Sequence, residues 1–319
     1  MMYAQTTTPS RHFTIRELAE GVYAAVAING GAAISNSGII DLGTLTLIYD
    51  TFLTPQAAKD LLAAAHEITG RDPEIIINSH YHNDHIWGNQ VFGPAAKVIS
   101  TTQTRHLIQT EGKVELEWAL GNSAKRLEEF SKQYAEAKSD QDRKESLLWM
   151  GYYKGMVEDL TDITVRLPDI TFDKRMTIHG QSRTLDLIPF KEAHTGNDAI
   201  LYLREDHIVF MADLLFVGCH PYLAECDAFK LLEALKEIEN MDASIFVPGH
   251  GTIGSKNDLT LMIDYITMCL DRSKSLVAQG AATEENIGKE KLPEKYSSWE
   301  LTGFFHINIQ AMCRQFSGK

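Results

Sequence analysis

Short apolar runs divided by Gly, Pro and polar clusters fill the first hundred residues, a pattern that predicts strands. Val22-Tyr23-Ala24-Ala25-Val26-Ala27-Ile28 is the first run, broken by Gly30-Gly31. Residues 37–42 and 44–49 follow as two strands around Gly43, a hairpin turn, and Asp50 closes the second. Thr54-Pro55 then opens a helix, with Thr54 as N-cap and Pro55 at the first helical position. Ala57, Leu61, Leu62, Ala65 and Ile68 give that helix one apolar face, and Gly70 stops it. Residues 74–78 read as a buried strand leading into a histidine-rich loop, and residues 97–100 as another strand.

The pattern changes near residue 101. Leu120, Leu127, Phe130 and Tyr134 recur at helical spacing, as do Leu147, Leu148, Tyr152, Met156 and Leu160. This predicts a helical insertion over residues 101–165, a hairpin broken near Ser139-Asp140. Strands return at 171–179, 184–189, 199–203 and 208–211, followed by a helix at 227–238 and a strand at 245–247. A mostly helical tail covers 257–319, with helices at 259–278, 283–288 and 300–314. No repeat and no Pro/Ser/Gly linker divides the chain. The expected architecture is one α/β domain over residues 1–319, two sheets face to face with helices outside.

Composition narrows the function. The chain has 319 residues, 44% hydrophobic and 23% charged, which fits a globular protein with a real core. Its net charge of −13 argues against nucleic-acid binding, which needs clustered Lys and Arg. It does not exclude an anionic substrate, because a local metal charge overrides the global field. Cys219, Cys226, Cys269 and Cys313 form no CxxC pair and no dense framework, which points to a reducing, cytoplasmic setting. Residues 1–13 are polar and carry no signal-peptide core, and no run of 18 apolar residues predicts a membrane span. A small-molecule substrate is the expected partner, and a homodimer is left open.

The chemistry concentrates at strand ends. Ser79-His80-Tyr81-His82-Asn83-Asp84-His85 directly follows an apolar strand. Alternation along an extended segment lets His80 and His82 face one side, and the turn that follows lets Asp84 and His85 reach a second point. Three further segments repeat the logic: His194 after Leu187-Ile188-Pro189-Phe190, Asp213 at the end of a buried strand, and His250 between two glycines after Ile245-Phe246-Val247. Tyr81, Asn83, Asn197, His220 and Tyr222 stand near these segments as weaker candidates to polarise a carbonyl group. Cys219 reads as a small buried apolar residue, and His66, His106, His179 and His207 receive no role.

His80-x-His82-x-Asp84-His85 with His194, Asp213 and His250 resembles the metallo-β-lactamase fold superfamily, and the resemblance covers most of the chain. It implies an αββα sandwich with a metal site at one edge between the sheets. It also implies a grouping of ligands: His80, His82 and His194 on one metal, Asp84, His85 and His250 on the other, and Asp213 as bridge. Imidazole with carboxylate favours two divalent ions, zinc first, with iron or manganese as alternatives. Two such ions, two carboxylates and a hydroxide leave a site charge of roughly +1, which lowers the pKa of a bridging water to roughly 7. Asp84 is the candidate proton carrier to the leaving group. Asp50 resembles the family carboxylate that orients a ligand histidine.

Asp213 sets the sequence apart from the zinc β-lactamases, which carry a different residue at the bridge, and resembles the glyoxalase II and lactonase pattern. The expected activity is therefore hydrolysis of an ester, lactone, thioester or related carbonyl substrate. An iron-dependent redox enzyme on the same fold and a β-lactamase-like amide hydrolase are the alternatives. The insertion is expected to wall the metal edge, with Trp118, Leu127, Phe130, Trp149 and Tyr152 partly packed together and partly facing a pocket.

Overall fold

The computed structural model describes residues 9–317, so most of the polar segment read at residues 1–13 lies outside the described residues. The first sheet holds β1 (Phe13–Ala19), β2 (Val22–Ala27), β3 (Ser37–Asp41), β4 (Thr46–Tyr49), β5 (Ile75–Ile77), β6 (Lys97–Thr101) and β7 (Ile170–Phe172), in that spatial order. Between them run α1 (Pro55–Thr69), the one-turn α2 (Asn83–Ile86), and the long pair α3 (Thr102–Glu136) and α4 (Asp140–Asp159). The second sheet holds β8 (Met176–His179), β9 (Thr184–Lys191), β10 (Asn197–Leu203), β11 (Ile208–Val217) and β12 (Ile245–Gly251), ordered β12-β11-β10-β9-β8. Helix α5 (Ala228–Glu239) precedes β12, and α6 (Lys256–Ala278), α7 (Glu284–Ile287) and α8 (Gly303–Ser317) complete the chain.

Alternation decides which side chains meet. Leu47 and Tyr49 of β4 enter the core between the sheets, beside Leu187, Leu201 and Phe210 of the second sheet. Ile48 points the other way, onto Ala57, Leu61 and Ala65 of α1. On the outer face of the second sheet, Ile200, Val209 and Met211 pack against Leu231 of α5, Ile266 of α6 and Ile309 of α8. The layers are helix, sheet, sheet, helix, so the molecule is an αββα sandwich. The Tyr49 hydroxyl donates to the Ala199 carbonyl at 2.7 Å, tying the two sheets beside the site.

Three readings are corrected. Residues 171–179 are two strands in different sheets, because the exposed, charged Asp173-Lys174-Arg175 carries the chain from β7 to β8. The strand read at 208–211 runs on to Val217, so Asp213 lies within β11 rather than at its end. Strand β1, with Phe13 and Ile15 buried in alternation, was not anticipated behind the polar start.

The insertion falls where the periodicity places it, broken between Glu136 and Asp140. It is seated by close backbone approach. A Cβ at Gly151 would stand 2.5 Å from the Gly31 carbonyl oxygen, and one at Gly155 would meet Ala32 Cβ at 2.6 Å. Leu127 and Phe130 pack with Tyr153 and Met156 against Tyr81 and Trp87, while Trp118 is exposed. No helix of the described residues is long and apolar enough to cross a membrane.

Candidate metal centre

The seven predicted residues converge on one edge of the sandwich. His80 and His82 follow β5, Asp84 and His85 sit on α2 rather than in an open loop, His194 lies in the turn between β9 and β10, Asp213 is on β11 and His250 on β12. They form two groups that could each hold an ion: His80, His82, His194 and Asp213 in one, and Asp84, His85 and His250 in the other. Ligand-type atoms within each group lie within 4.8 Å of one another. Asp213 also stands between the groups, with Oδ1 3.1 Å from His85 Nε2 and Oδ2 3.3 Å from His250 Nε2 and 3.4 Å from His194 Nε2. Asp84 Oδ2 is 3.4 Å from His250 Nε2.

Local backbone aims these groups. The β11–β12 pairing shifts register on both sides of Ala212, whose φ of 45° lies in the left-handed region. That irregularity sets the direction of the adjacent Asp213. Gly249 completes the fit, since a Cβ there would stand 1.9 Å from Asp213 Oδ1. Asn36 accepts from the Ala27 amide and donates through Nδ2 to the Pro248 and Gly251 carbonyls, which fixes the strand end bearing His250.

Tautomers are set from behind. Asp50 is fully buried with a φ of 60°; its Oδ2 stands 2.8 Å from His85 Nδ1, and its carboxylate accepts from the Ser79 amide at 2.8 Å and the Ser79 hydroxyl at 2.7 Å. The same hydroxyl lies 2.9 Å from His80 Nδ1. With Nδ1–H donated in both rings, each Nε2 lone pair is left facing the site. His82 is turned the other way, with Nε2 3.5 Å from Glu225 and Nδ1 3.3 Å from His194 Nε2. Asp198 accepts the backbone amides of His194 and Thr195 and holds the His194 turn.

The donor set fits cations. His80 Nε2 is buried and has no hydrogen-bond partner, and buried His85 Nε2 and Asp213 Oδ1 stand 3.1 Å apart without a well-aligned hydrogen bond, an arrangement that an ion between them would relieve. Burial pushes His85 down, but Asp213, Asp84 and Asp50 more than reverse this and hold it well above the usual histidine range. Burial pushes the Asp213 carboxyl up, and His250 and His85 outweigh it and hold the group well below the usual range.

A cavity of ≈ 280 Å³ opens in front of these groups. The insertion walls it with Glu115 of α3 and Leu148, Trp149 and Tyr152 of α4. Asn83 Nδ2 donates to the Tyr152 hydroxyl at 2.9 Å, joining the insertion to the segment that bears Asp84. Among the weaker candidates, Asn83 and Tyr222 line the cavity and Tyr81 donates to Glu225 at 2.5 Å. His220 is packed away against Tyr265 and Trp299, and Cys219 is buried with its thiol pushed up by burial. His66, His106, His179 and His207 are exposed. Sequence reasoning missed Ser79 as an orienting group and missed Glu115, one of several charged residues along α3, and Glu225, a lone glutamate with no local signal.

The profile of the metallo-beta-lactamase superfamily matches residues 30–250. No curated protein matches the chain. Among solved structures, the stereoselective inverting sec-alkylsulfatase Pisa1 from Pseudomonas sp. is similar at 16% identity and a TM-score of 0.70, over 96% of this chain and 50% of that one. The chain therefore spans about half the length of that relative. A metallo-beta-lactamase from Pontibacter korlensis is similar at 16% identity and a TM-score of 0.57, over 80% of this chain and 99% of that one. FIM-1 from Pseudomonas aeruginosa, in its mono-zinc form, is similar at 13% identity and a TM-score of 0.58, over 81% and 96%. At such identities these likenesses establish the fold, and the match over residues 30–250 establishes the family: the chain belongs to the metallo-beta-lactamase superfamily.

Proposed function

We propose that the chain is a dinuclear metal-dependent hydrolase of an ester, lactone, thioester or related carbonyl substrate. The observation that carries this reading is the pair of adjacent donor groups, with buried His80 Nε2 left without a hydrogen-bond partner. Divalent ions there, zinc first and iron or manganese as alternatives, supply an activated water and an electrophile for the attacked group. His80, His82 and His194 would hold one ion and Asp84, His85 and His250 the other, with Asp213 between the two groups. Asp50 and Ser79 keep His85 and His80 in the tautomer that presents Nε2. Asp84, which lines the cavity, carries a proton to the leaving group. The insertion limits water on the substrate side. The buried, free state of the four cysteines supports a cytoplasmic setting.

A second reading, sulfate-ester hydrolysis, draws on the likeness to the alkylsulfatase across 96% of this chain. It lacks support in the cavity, where no Arg or Lys is found among the described residues. A panel of lactones, thioesters, aryl esters, β-lactams and secondary alkyl sulfates, run on metal-loaded protein, separates the readings. Turnover of carbonyl esters that chelation abolishes and zinc restores is expected. Turnover of alkyl sulfates with none of any carbonyl ester would overturn the proposal.

A further inference from the structure

The cavity's charge and aromatic content say more about the substrate than the metal groups do. Its acidic side chains, apart from Asp84 and Asp213, are Glu115 and Glu225. Glu115 Oε2 is buried and has no hydrogen-bond partner, although the side chain reaches into the cavity from the insertion. Glu225, half exposed at the mouth, accepts from the Tyr81 hydroxyl. The same cavity is lined by an aromatic corner: Trp149 stands edge to face with Tyr152 at 5.7 Å and with Phe304 at 6.1 Å, and Phe304 lies 5.3 Å from Tyr222. Among the described residues no Lys or Arg side chain lines the cavity. Among the described residues its basic groups are His82 and His250, both members of the ion-holding groups.

We infer that this cavity accepts a substrate bearing a cationic nitrogen, an ammonium or quaternary ammonium group, seated between Glu115 and the Trp149–Tyr152–Phe304–Tyr222 corner. The inference rests on the hydrolase reading above and names its substrate class. A cationic nitrogen is attracted by aromatic faces and by a carboxylate in a low-dielectric wall, whether or not it carries an N–H to donate. An anionic group in the same place would meet Glu115 and Glu225 with no countercharge from a side chain. The reactive carbonyl then lies toward His82, Asp84 and His250, which line the same cavity.

Binding and turnover test this separately. Choline and its uncharged isostere 3,3-dimethyl-1-butanol are titrated into the metal-loaded protein by calorimetry and by tryptophan fluorescence, to which Trp149 contributes as one of four tryptophans. The cation is expected to bind at least ~10-fold more tightly than the neutral isostere. Glu115→Gln should remove most of that preference, and Glu115→Lys should abolish choline binding, with thermal melts confirming that both variants fold. Acetylthiocholine and 3,3-dimethylbutyl thioacetate give the same comparison in kcat/KM. Equal affinity for choline and its isostere, or a preference untouched in both folded Glu115 variants, overturns the inference. Selective choline binding without cleavage of any ester supports it and overturns the hydrolase reading. Cleavage of both thioesters at equal efficiency leaves the hydrolase reading standing and overturns this one.

Discussion

Asp50 Oδ2 stands 2.8 Å from Nδ1 of His85, and both side chains are fully buried. Burial alone would push the Asp50 carboxyl up, and His85 is the chief group that opposes this. The pair therefore holds the His85 ring at a fixed angle with Nε2 toward Asp213. Asp50→Asn keeps the shape but sets an amide against the donors of Ser79 and His85. Metal affinity is expected to fall ~10- to 100-fold, with a loss of about 1–3 kcal/mol in metal-free stability. Competition titration against a chromophoric chelator, with urea unfolding of the metal-free protein, checks both. Unchanged affinity would show that Asp50 only closes a turn.

Gly249 makes a sharper case, because the reason for glycine there is one atom. The 1.9 Å separation between an added Cβ and Asp213 Oδ1 cannot be accommodated without turning the carboxylate or moving β12. Gly249→Ala should lower stability by about 1–3 kcal/mol. It should also cut turnover by ~100-fold or more through displacement of Asp213. Chemical denaturation and steady-state kinetics with the same ester report the two effects. A variant with native kinetics would mean that Asp213 has no fixed place in the chemistry.

The candidate site was legible because each residue stands on or shortly after an apolar strand, and strands are the most readable elements here. His80 and His82 come after Ile75-Ile76-Ile77, and His250 after Ile245-Phe246-Val247. Legibility failed where local sequence carries no signal for tertiary position. Residues 171–179 alternate through a sheet-to-sheet crossing that only the fold defines. Asp213 was read as a strand end because the bulge at Ala212 leaves no mark in the composition. Glu115 is one of many glutamates along α3, and its aim into the cavity depends on how Gly151 and Gly155 seat the insertion. The expectation that the insertion faces the metal edge held for Trp149 and Tyr152 and failed for Trp118, which is exposed.

Acid sensitivity should arise away from the site as well. His220 is fully buried, with Nδ1 3.0 Å from the Tyr265 hydroxyl, and burial pulls its pKa down to about 4. The unfolded chain takes up this proton near pH 6.5, and the folded protein takes it up only near pH 4. Between those values the unfolded state binds more protons, so stability is full above pH 6.5 and falls as pH drops toward 4. His220 alone should remove about 2 kcal/mol between pH 7 and pH 5. Urea unfolding of metal-free protein and of His220→Asn at both pH values tests this. An equal loss in the two proteins would contradict it.

The central claim is that Asp213 joins two ion-holding groups. Asp213→Asn removes the shared charge, so it should weaken the second equivalent of metal far more than it weakens folding. His82→Ala should lose several powers of ten in rate with the fold intact. The most direct measurement is elemental analysis of dialysed, active protein, calibrated by amino-acid analysis. Two equivalents of divalent metal per chain, falling to one or fewer in Asp213→Asn and in His82→Ala, is the predicted result. At most one equivalent in fully loaded and fully active protein would contradict it.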